Sequence, residues 1–470
     1  MKMLINGKFI DKEEKIAVEN PYSGETVDFV PWGRKKDVQE AVSHANSSWK
    51  VLNDWSAFKV SNALYCAYED LKNEKKKIAK VITEETGKPI KDSLFEMERS
   101  VETLKLSSEE SKRIYGESVP LDAGLGGKGF FAFTQKVPLG VVGAITPFNY
   151  PVNLAIHKIA PAIAGKNSCI LKPSIKAPLS AIKLCEIIDT YFPNGVINCI
   201  TGHGSEIGNE LSQNQEIAKI SFTGSVPVGI SIKNSGGMKK VSLELGGNDP
   251  LVVLNDANIE KAVTAAVNGA FLFSGQVCMG VKRIILDEEI ADEFIENLTK
   301  ETSKLKIGDP MKEDTDIGPL IDEPAAKTVE ERVNEAIDTS ADLIIGGKRN
   351  KNFYQPTILD NVKENTLLVT NETFGPIAPI IRVNGVEEAI KIANSTDYGL
   401  QAGVYTENIH DGLKCANEIE AGTVFINKQS TFRTDNMPFG GFKYSGIGKE
   451  GVKYALEDMT KTKLIGLNLR

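Results

Sequence analysis

The segment FSGQVCMG places Cys278 after Gly275 and Gln276 at the end of an apolar helical stretch, a turn that either presents a thiol to a cleft or buries it. A presented thiol is a nucleophile. With an ordinary pKa of about 8.5 it is only slightly ionised at neutral pH, so it requires a base or positive surroundings. Glu244 is a candidate base. It is the only carboxylate in KKVSLELGG and ends an apolar run, where partial burial raises a carboxyl pKa; the alternative is a surface ion pair with Lys239 or Lys240. Asn149, in the turn after VVGAITPF, carries an amide suited to holding an oxyanion, or is an ordinary turn residue.

These three residues lie in a stretch with a distinct texture. From 137 to 250, short apolar runs (VVGAI at 141, SCILK at 168, VINCI at 196, KISFT at 219, KVSLEL at 240) alternate with helical segments. One such helix carries Ala181, Leu184, Cys185 and Ile188 on a single stripe. Strands alternating with helices predict a parallel, doubly wound α/β layer, which binds ligands beyond the carboxyl ends of its strands. Those ends read TPFNYP, KPS, TGHGSEIG, FTGSVPVG and ELGG. Glycine at one such turn is ordinary loop chemistry, but five polar, mostly glycine-bearing ends in succession point to a nucleotide site. A second α/β block runs from about 250 to 430 and begins with a helix whose Val263, Val267 and Phe271 share a face and deliver Cys278. Residues 34–115 are rich in Lys, Glu and Ala with helical spacing.

Composition removes other classes. The 470 residues are 41% hydrophobic and 25% charged, with 41 Gly and 20 Pro, which excludes fibrous and disordered chains. Against 63 acidic side chains stand 55 basic ones, a net charge of −8, the wrong sign for a partner bound through phosphate neutralisation, so no nucleic-acid partner is expected. Charges scattered through MKMLINGKFIDKEEK and the lack of a long apolar run predict a cytoplasmic protein with no membrane partner. Six dispersed cysteines without C-x-x-C read as free thiols, and four histidines without ligand spacing predict no metal site. Cys169 and Cys199 sit in strand runs and Cys185 on an apolar stripe, positions of small core hydrophobes.

The segments PFNYP, LKPS, FTGS, LELGG, FSGQVC, ETFGP and MPFGGFKYSG, in this order along nearly the whole chain, resemble the aldehyde dehydrogenase superfamily. HKIAPAIAG, GSEIG, NSTDYGL, TDNMPFGG and EGVKYALEDM are most similar to its lactaldehyde, glyceraldehyde, succinate-semialdehyde and non-phosphorylating glyceraldehyde-3-phosphate dehydrogenase branch. The resemblance implies an α/β fold: a Rossmann-type cofactor domain (1–115 and 139–246), an α/β catalytic domain (247–428), and a small β element (116–138 and 429–470) that bridges subunits of a homodimer or homotetramer. It makes Cys278 the nucleophile, Glu244 the base and Asn149 the oxyanion donor, acting with the Cys278 backbone N–H. It sets Ile145, Thr146, Pro147 and Phe148 beside an NADP or NAD cofactor, with Lys172 and Ser174 at the adenosine ribose. Phe222 and Thr223 also bind the cofactor, Gly224 and Ser225 reach the pyrophosphate, Gly202, Gly204 and Gly229 the adenosine half, and Glu372 and Phe374 the nicotinamide ribose. GSVPVG at 224 is not G-x-G-x-x-G, so the usual dinucleotide fingerprint misses this site.

Two finer expectations follow. NAD-preferring relatives often carry Glu three residues after the motif lysine. Here that position is Ile175, beside Lys172, Ser174 and Lys176, so NADP is expected to serve at least as well as NAD. The substrate tunnel is expected to hold Arg99, Tyr150, His157 and Arg433, which favours small hydroxylated or anionic aldehydes: lactaldehyde, glyceraldehyde or succinate semialdehyde. Phosphate-binding members of the branch carry Arg before the nucleophile where this chain has Val277, which disfavours glyceraldehyde 3-phosphate as substrate. The rivals are a CoA-acylating semialdehyde dehydrogenase, a thiol hydrolase pairing Cys278 with His157, and a non-enzymatic scaffold.

Overall fold

The structure, a computed structural model, describes residues 1–469. Residues 34–115 form three helices, Lys35–Asn53, Ala57–Thr86 and Ile90–Glu110. The second starts at Ser56, whose hydroxyl accepts the Lys59 N–H at 3.2 Å, and stops at Gly87, where φ of 71° provides a left-handed cap. Val60, Leu64, Ala67, Leu71, Ile78 and Ile82 recur at helical spacing along its buried side.

The first large sheet has eight strands in the order Lys8–Ile10, Met3–Ile5, Ile197–Cys199, Ser168–Lys172, Val141–Ile145, Ile217–Thr223, Lys240–Glu244, Gly446–Ile447. Its five central strands are parallel. Val141–Ile145 and Ser168–Lys172 are buried at every position, as a parallel sheet covered on both faces requires. From Val141–Ile145 the chain adds two strands on one side, then two on the other, so the strand order reverses between Val141–Ile145 and Ile217–Thr223. The helix Leu179–Asp189 buries Ala181, Leu184, Cys185 and Ile188 against the sheet.

The second sheet has seven strands, Asp342–Ile345, Thr357–Asp360, Ile377–Val383, Val281–Asp287, Asp249–Val253, Gln401–Tyr405 and Thr423–Ile426, all parallel except the first. Cys278 lies three residues before Val281–Asp287, at the amino end of this sheet. A long two-stranded ribbon pairs Phe130–Pro138 with Thr460–Asn468, leaving Phe131, Leu464 and Leu467 largely exposed. No helix among the described residues is long and apolar enough to cross a membrane. All six cysteines are free thiols.

Two buried carboxylates tie the helical layer to the first sheet. Glu85 accepts the N–H groups of Leu179 and Ser180 at 2.7 and 3.1 Å, and Glu96 those of Val152 and Asn153 at 3.0 and 3.1 Å, each at the start of a sheet-packed helix. Helix N-termini favour negative charge, so these acids act as caps delivered from another element. Glu96 also holds Lys88 at 2.5 Å, with both side chains wholly buried. Replacing Lys88 with Met strands that carboxylate inside the protein. The expected loss is about 3–5 kcal/mol of unfolding free energy, read by urea denaturation.

Candidate active site

At the reversal of strand order, the carboxyl ends of Val141–Ile145 and Ile217–Thr223 open into a cavity of about 320 Å³. Pro147, Phe148 and Asn149 line it from one strand end and Thr223, Gly224 and Ser225 from the next; Cys278, Glu372 and Phe374 close it from the second sheet. Ile145, Thr146 and Phe222 stand at or just beyond the same strand ends, and Lys172 and Ser174 at or beyond the end of Ser168–Lys172, all outside its walls. Gly202 and Gly204 follow the next strand. The α-carbon of Gly229 packs on Leu245, leaving no room for a side chain. Ile175 lines a separate cavity with Lys176, whose ammonium is 3.1 Å from Asp322.

Polar groups in and beside the crevice are left without protein partners. The hydroxyls of Thr146 and Thr223 and both carboxylate oxygens of Glu244 are buried without a protein partner. The helix Val226–Ser235 begins beside it with no side-chain cap at Ser225, leaving amide N–H groups for an anion. A dinucleotide with pyrophosphate and ribose hydroxyls fits this donor set.

Cys278 is half-buried and reached through a strained turn: Phe273, Ser274 and Gly275 have φ of 46°, 54° and 73°. Each left-handed non-glycine residue costs roughly 1–2 kcal/mol. Local bonds hold the turn. Ser274 donates to the Gly318 carbonyl at 2.8 Å, Gln276 Oε1 accepts the Ile321 N–H at 2.9 Å, and Asn149 Nδ2 donates to the Gln276 carbonyl at 3.0 Å. Phe273 packs with Tyr150, Val277, Met279 and Phe439, and Lys88 places its ammonium 3.8 Å from the Tyr150 ring centre and 4.8 Å from that of Phe273. Burial, then the Glu372 and Asp249 carboxylates, push the thiol up to about 12.

Glu244 is buried at the end of its strand, and burial together with the neighbouring Glu450 carboxylate raises it well above the carboxylate range. No ion pair with Lys239 or Lys240 forms; Lys240 reaches the Asp458 and Thr460 carbonyls instead. Glu372 accepts the Gly247 N–H at 3.1 Å and burial lifts it to about 7. The glycine pair of ELGG has a steric cause, since a β-carbon on Gly246 would collide with the Glu372 carboxylate.

Beyond the thiol lies a cavity of about 510 Å³ whose lining includes Arg99, Tyr150 and Arg433, together with Phe95 and Phe432. His157 is not part of it, which corrects the expectation. It is wholly buried in the helix Asn153–Ala164, with Nε2 2.9 Å from Asp435 and 3.3 Å from Arg433, because the polar face it needs is supplied inside the protein. Burial and the Arg433 charge lower its pKa, and Asp435, not Cys278, is its partner, which removes support for a Cys278–His157 hydrolase pair. The two guanidiniums are also less free than the sequence suggested. Arg99 pairs with Asp435 at 2.6 Å, and Arg433 with Glu450 at 3.0 Å, stacked 3.8 Å from the Phe439 ring. Glu450 also holds Lys158 at 2.7 Å. Gln276, Asp435 and Glu450 were visible in quoted motifs, but only their partners reveal them as supports.

The model of the aldehyde dehydrogenase family matches residues 9–465. The chain belongs to the aldehyde dehydrogenase family. The enzyme, an oxidoreductase, is 44% identical to lactaldehyde dehydrogenase of Methanococcus aeolicus over 473 residues, covering 100% of each chain. It is 42% identical to 3-sulfolactaldehyde dehydrogenase of Priestia megaterium over 468 residues, covering 99% of this chain and 98% of the relative. The solved glyceraldehyde-3-phosphate dehydrogenase GapN of Methanocaldococcus jannaschii, complexed with NADP, superposes with a TM-score of 0.94 at 44% identity, covering 98% of this chain and 100% of that one.

The strained turn generates a test of its own. Gly275 has φ of 73°, and a β-carbon there would overlap the Gly375 carbonyl. Gly275→Ala is expected to lower stability by about 1–3 kcal/mol in denaturant titration.

Proposed function

We propose that this enzyme oxidises a small hydroxylated or anionic aldehyde (lactaldehyde, glyceraldehyde or succinate semialdehyde) to the acid through a thioester on Cys278, using NADP or NAD. The observation that carries the reading is the convergence of Cys278 and Asn149 on one cavity with unpartnered buried Thr223, next to buried, unpaired Glu244. Sγ of Cys278, its proton released to solvent, attacks the aldehyde carbon as thiolate, and the oxygen that gains the charge is held by Asn149 Nδ2 and the Cys278 backbone N–H. An oxidised nicotinamide, when bound, supplies a positive charge and the acceptor for the hydrogen and electron pair leaving that carbon. The thioester that remains is hydrolysed by water whose proton Glu244 takes, releasing the acid and restoring the thiol. Pro147, Phe148, Thr223, Gly224, Ser225, Glu372 and Phe374 would hold the cofactor. A carboxylate at Glu244, poised to activate water, supports hydrolysis over transfer to CoA.

The guanidiniums support the substrate class. Arg99 spends Nε and Nη2 on Asp435 and Arg433 spends Nη2 on Glu450 and His157, which leaves Nη1 of Arg99, and Nη1 and Nε of Arg433, without a protein hydrogen-bond partner among the described residues. The similarity to the NADP-bound GapN structure favours glyceraldehyde 3-phosphate as a second reading, against which Val277 stands. The absence of a carboxylate at Ile175 supports NADP as the equal or better cofactor. The exposed apolar residues of the 130–138/460–468 ribbon support a homodimer or homotetramer, since an isolated two-stranded ribbon is marginal in water. Free thiols accord with a cytoplasmic location.

Steady-state kcat/KM for a panel of aldehydes with each cofactor, on protein whose mass by light scattering is that of two or four chains, checks these statements together. Preference for hexanal or benzaldehyde, or a tenfold preference for NAD, overturns the corresponding one. In the second test, Cys278→Ala is expected to lose dehydrogenase activity while still binding the dinucleotide. Glu244→Gln should retain a burst of reduced cofactor but lose turnover by about 10²-fold or more. Because burial raises Glu244, its base form grows with pH, so thioester hydrolysis should quicken as pH rises in the parent and lose that dependence in Glu244→Gln.

A further inference from the structure

Among the described residues five lysines expose less than a tenth of their surface: Lys88, Lys158, Lys172, Lys219 and Lys282. Three are matched by carboxylates, Glu96, Glu450 and Asp458 respectively. Lys172 and Lys282 have no carboxylate within 4 Å among the described residues. Lys172 stands at the strand end assigned above to the cofactor. Lys282 has no such assignment.

Lys282 is the second residue of Val281–Asp287. Its ammonium donates to the Gly275 carbonyl and lies 5.1 Å from the ring centre of Phe374. Gly275 is the last of the three left-handed residues that aim Cys278, and Phe374 with Glu372 walls the cavity opposite the thiol. The two loops abut at Gly275 and Gly375, too closely for a side chain. Arg332 grips the far side of the same loop, donating to the Glu372 carbonyl and to Thr373 Oγ1 at 2.9 Å. Burial depresses Lys282 to about 8 although the charges of Glu372, Cys278 and Asp249 favour its ionised form, so burying an ammonium whose only direct partners are one carbonyl and one ring face is costly. An apolar side chain of the same length would serve the core better, so stability does not account for a lysine here.

We infer that Lys282 is a positioning residue for the oxidation: it pins the nucleophile turn 273–278 against the loop 372–376, fixing the thiol relative to the wall formed by Glu372 and Phe374. The inference rests on reading Cys278 as the nucleophile. Lys282 acts through Gly275 and Phe374 and lines no part of the cavity. A displaced turn leaves the aldehyde's own contacts intact but spoils the approach of the reacting atoms.

Lys282→Met tests this in the full-length enzyme. The variant is expected to melt at or above the parent temperature, to lose roughly 10- to 100-fold in kcat, and to keep the aldehyde KM within about threefold, because misplacement of the reacting groups acts on the chemical step. Parental kcat overturns the inference. A melting temperature well below the parent, or failure to fold, also overturns it by showing that the lysine serves stability. An aldehyde KM that rises as much as kcat falls overturns it by placing Lys282 in substrate binding. Cys278→Ala, measured alongside, separates the two readings: retained activity there would refute the nucleophile whatever Lys282→Met does.

Discussion

The buried Glu96 carboxylate joins three parts of this enzyme that sequence distance separates. One oxygen caps the helix Asn153–Ala164, and the other holds Lys88, whose ammonium lies over the rings of Tyr150 and Phe273. Through these contacts the helical layer, the first sheet and the turn that carries Cys278 share one charge pair. Phe273 is held at φ of 46° by packing and by this cation, so the aim of Cys278 depends on a residue nearly two hundred positions earlier. Burial lowers the ammonium's pKa, and a desolvated pair of this kind contributes geometric definition more than net stability.

Around the thiol, polar groups are left unsatisfied where a ligand would meet them. Thr146, Thr223 and Glu244 are buried without partners at the strand ends, whereas the carboxylates one layer further out are paired: Asp435 with Arg99 and His157, Glu450 with Lys158 and Arg433. Burial opposes ionisation of these two acids, but their cationic partners outweigh it and hold both below the ordinary carboxylate range. Glu244 has no such partner and moves the other way. Glu450 and Glu244 thus differ because Glu450 is directly paired with cations, whereas Glu244 is buried without such a pair and beside the Glu450 charge.

The cavity beyond Cys278 combines two guanidiniums with aromatic walls. Its cations are anchored from behind by carboxylates, so the field at the mouth is set by how many donors remain free rather than by a count of arginines. Phe95 and Phe432 add apolar surface that a count of charges overlooks.

Much of this was legible in the sequence. Apolar runs marked the central parallel strands within a residue or two because buried parallel strands must be continuous hydrophobic segments, and the stripe Ala181, Leu184, Cys185, Ile188 lies against the sheet as its spacing requires. The small residues of FSGQVC and ELGG announced tight turns because only glycine fits where backbones or a carboxylate press close. The partners of charged side chains were not legible. His157, Arg99 and Arg433 looked alike as polar residues for a tunnel, yet packing turned the histidine inward to Asp435 and committed much of both guanidiniums. Lys282 reads as a strand residue until the fold sets its ammonium against Gly275 and Phe374. Local pattern determines which segments are strands, helices and tight turns, because those depend on neighbours along the chain. Which charge meets which depends on contacts made across hundreds of residues, and only the tertiary structure decided that.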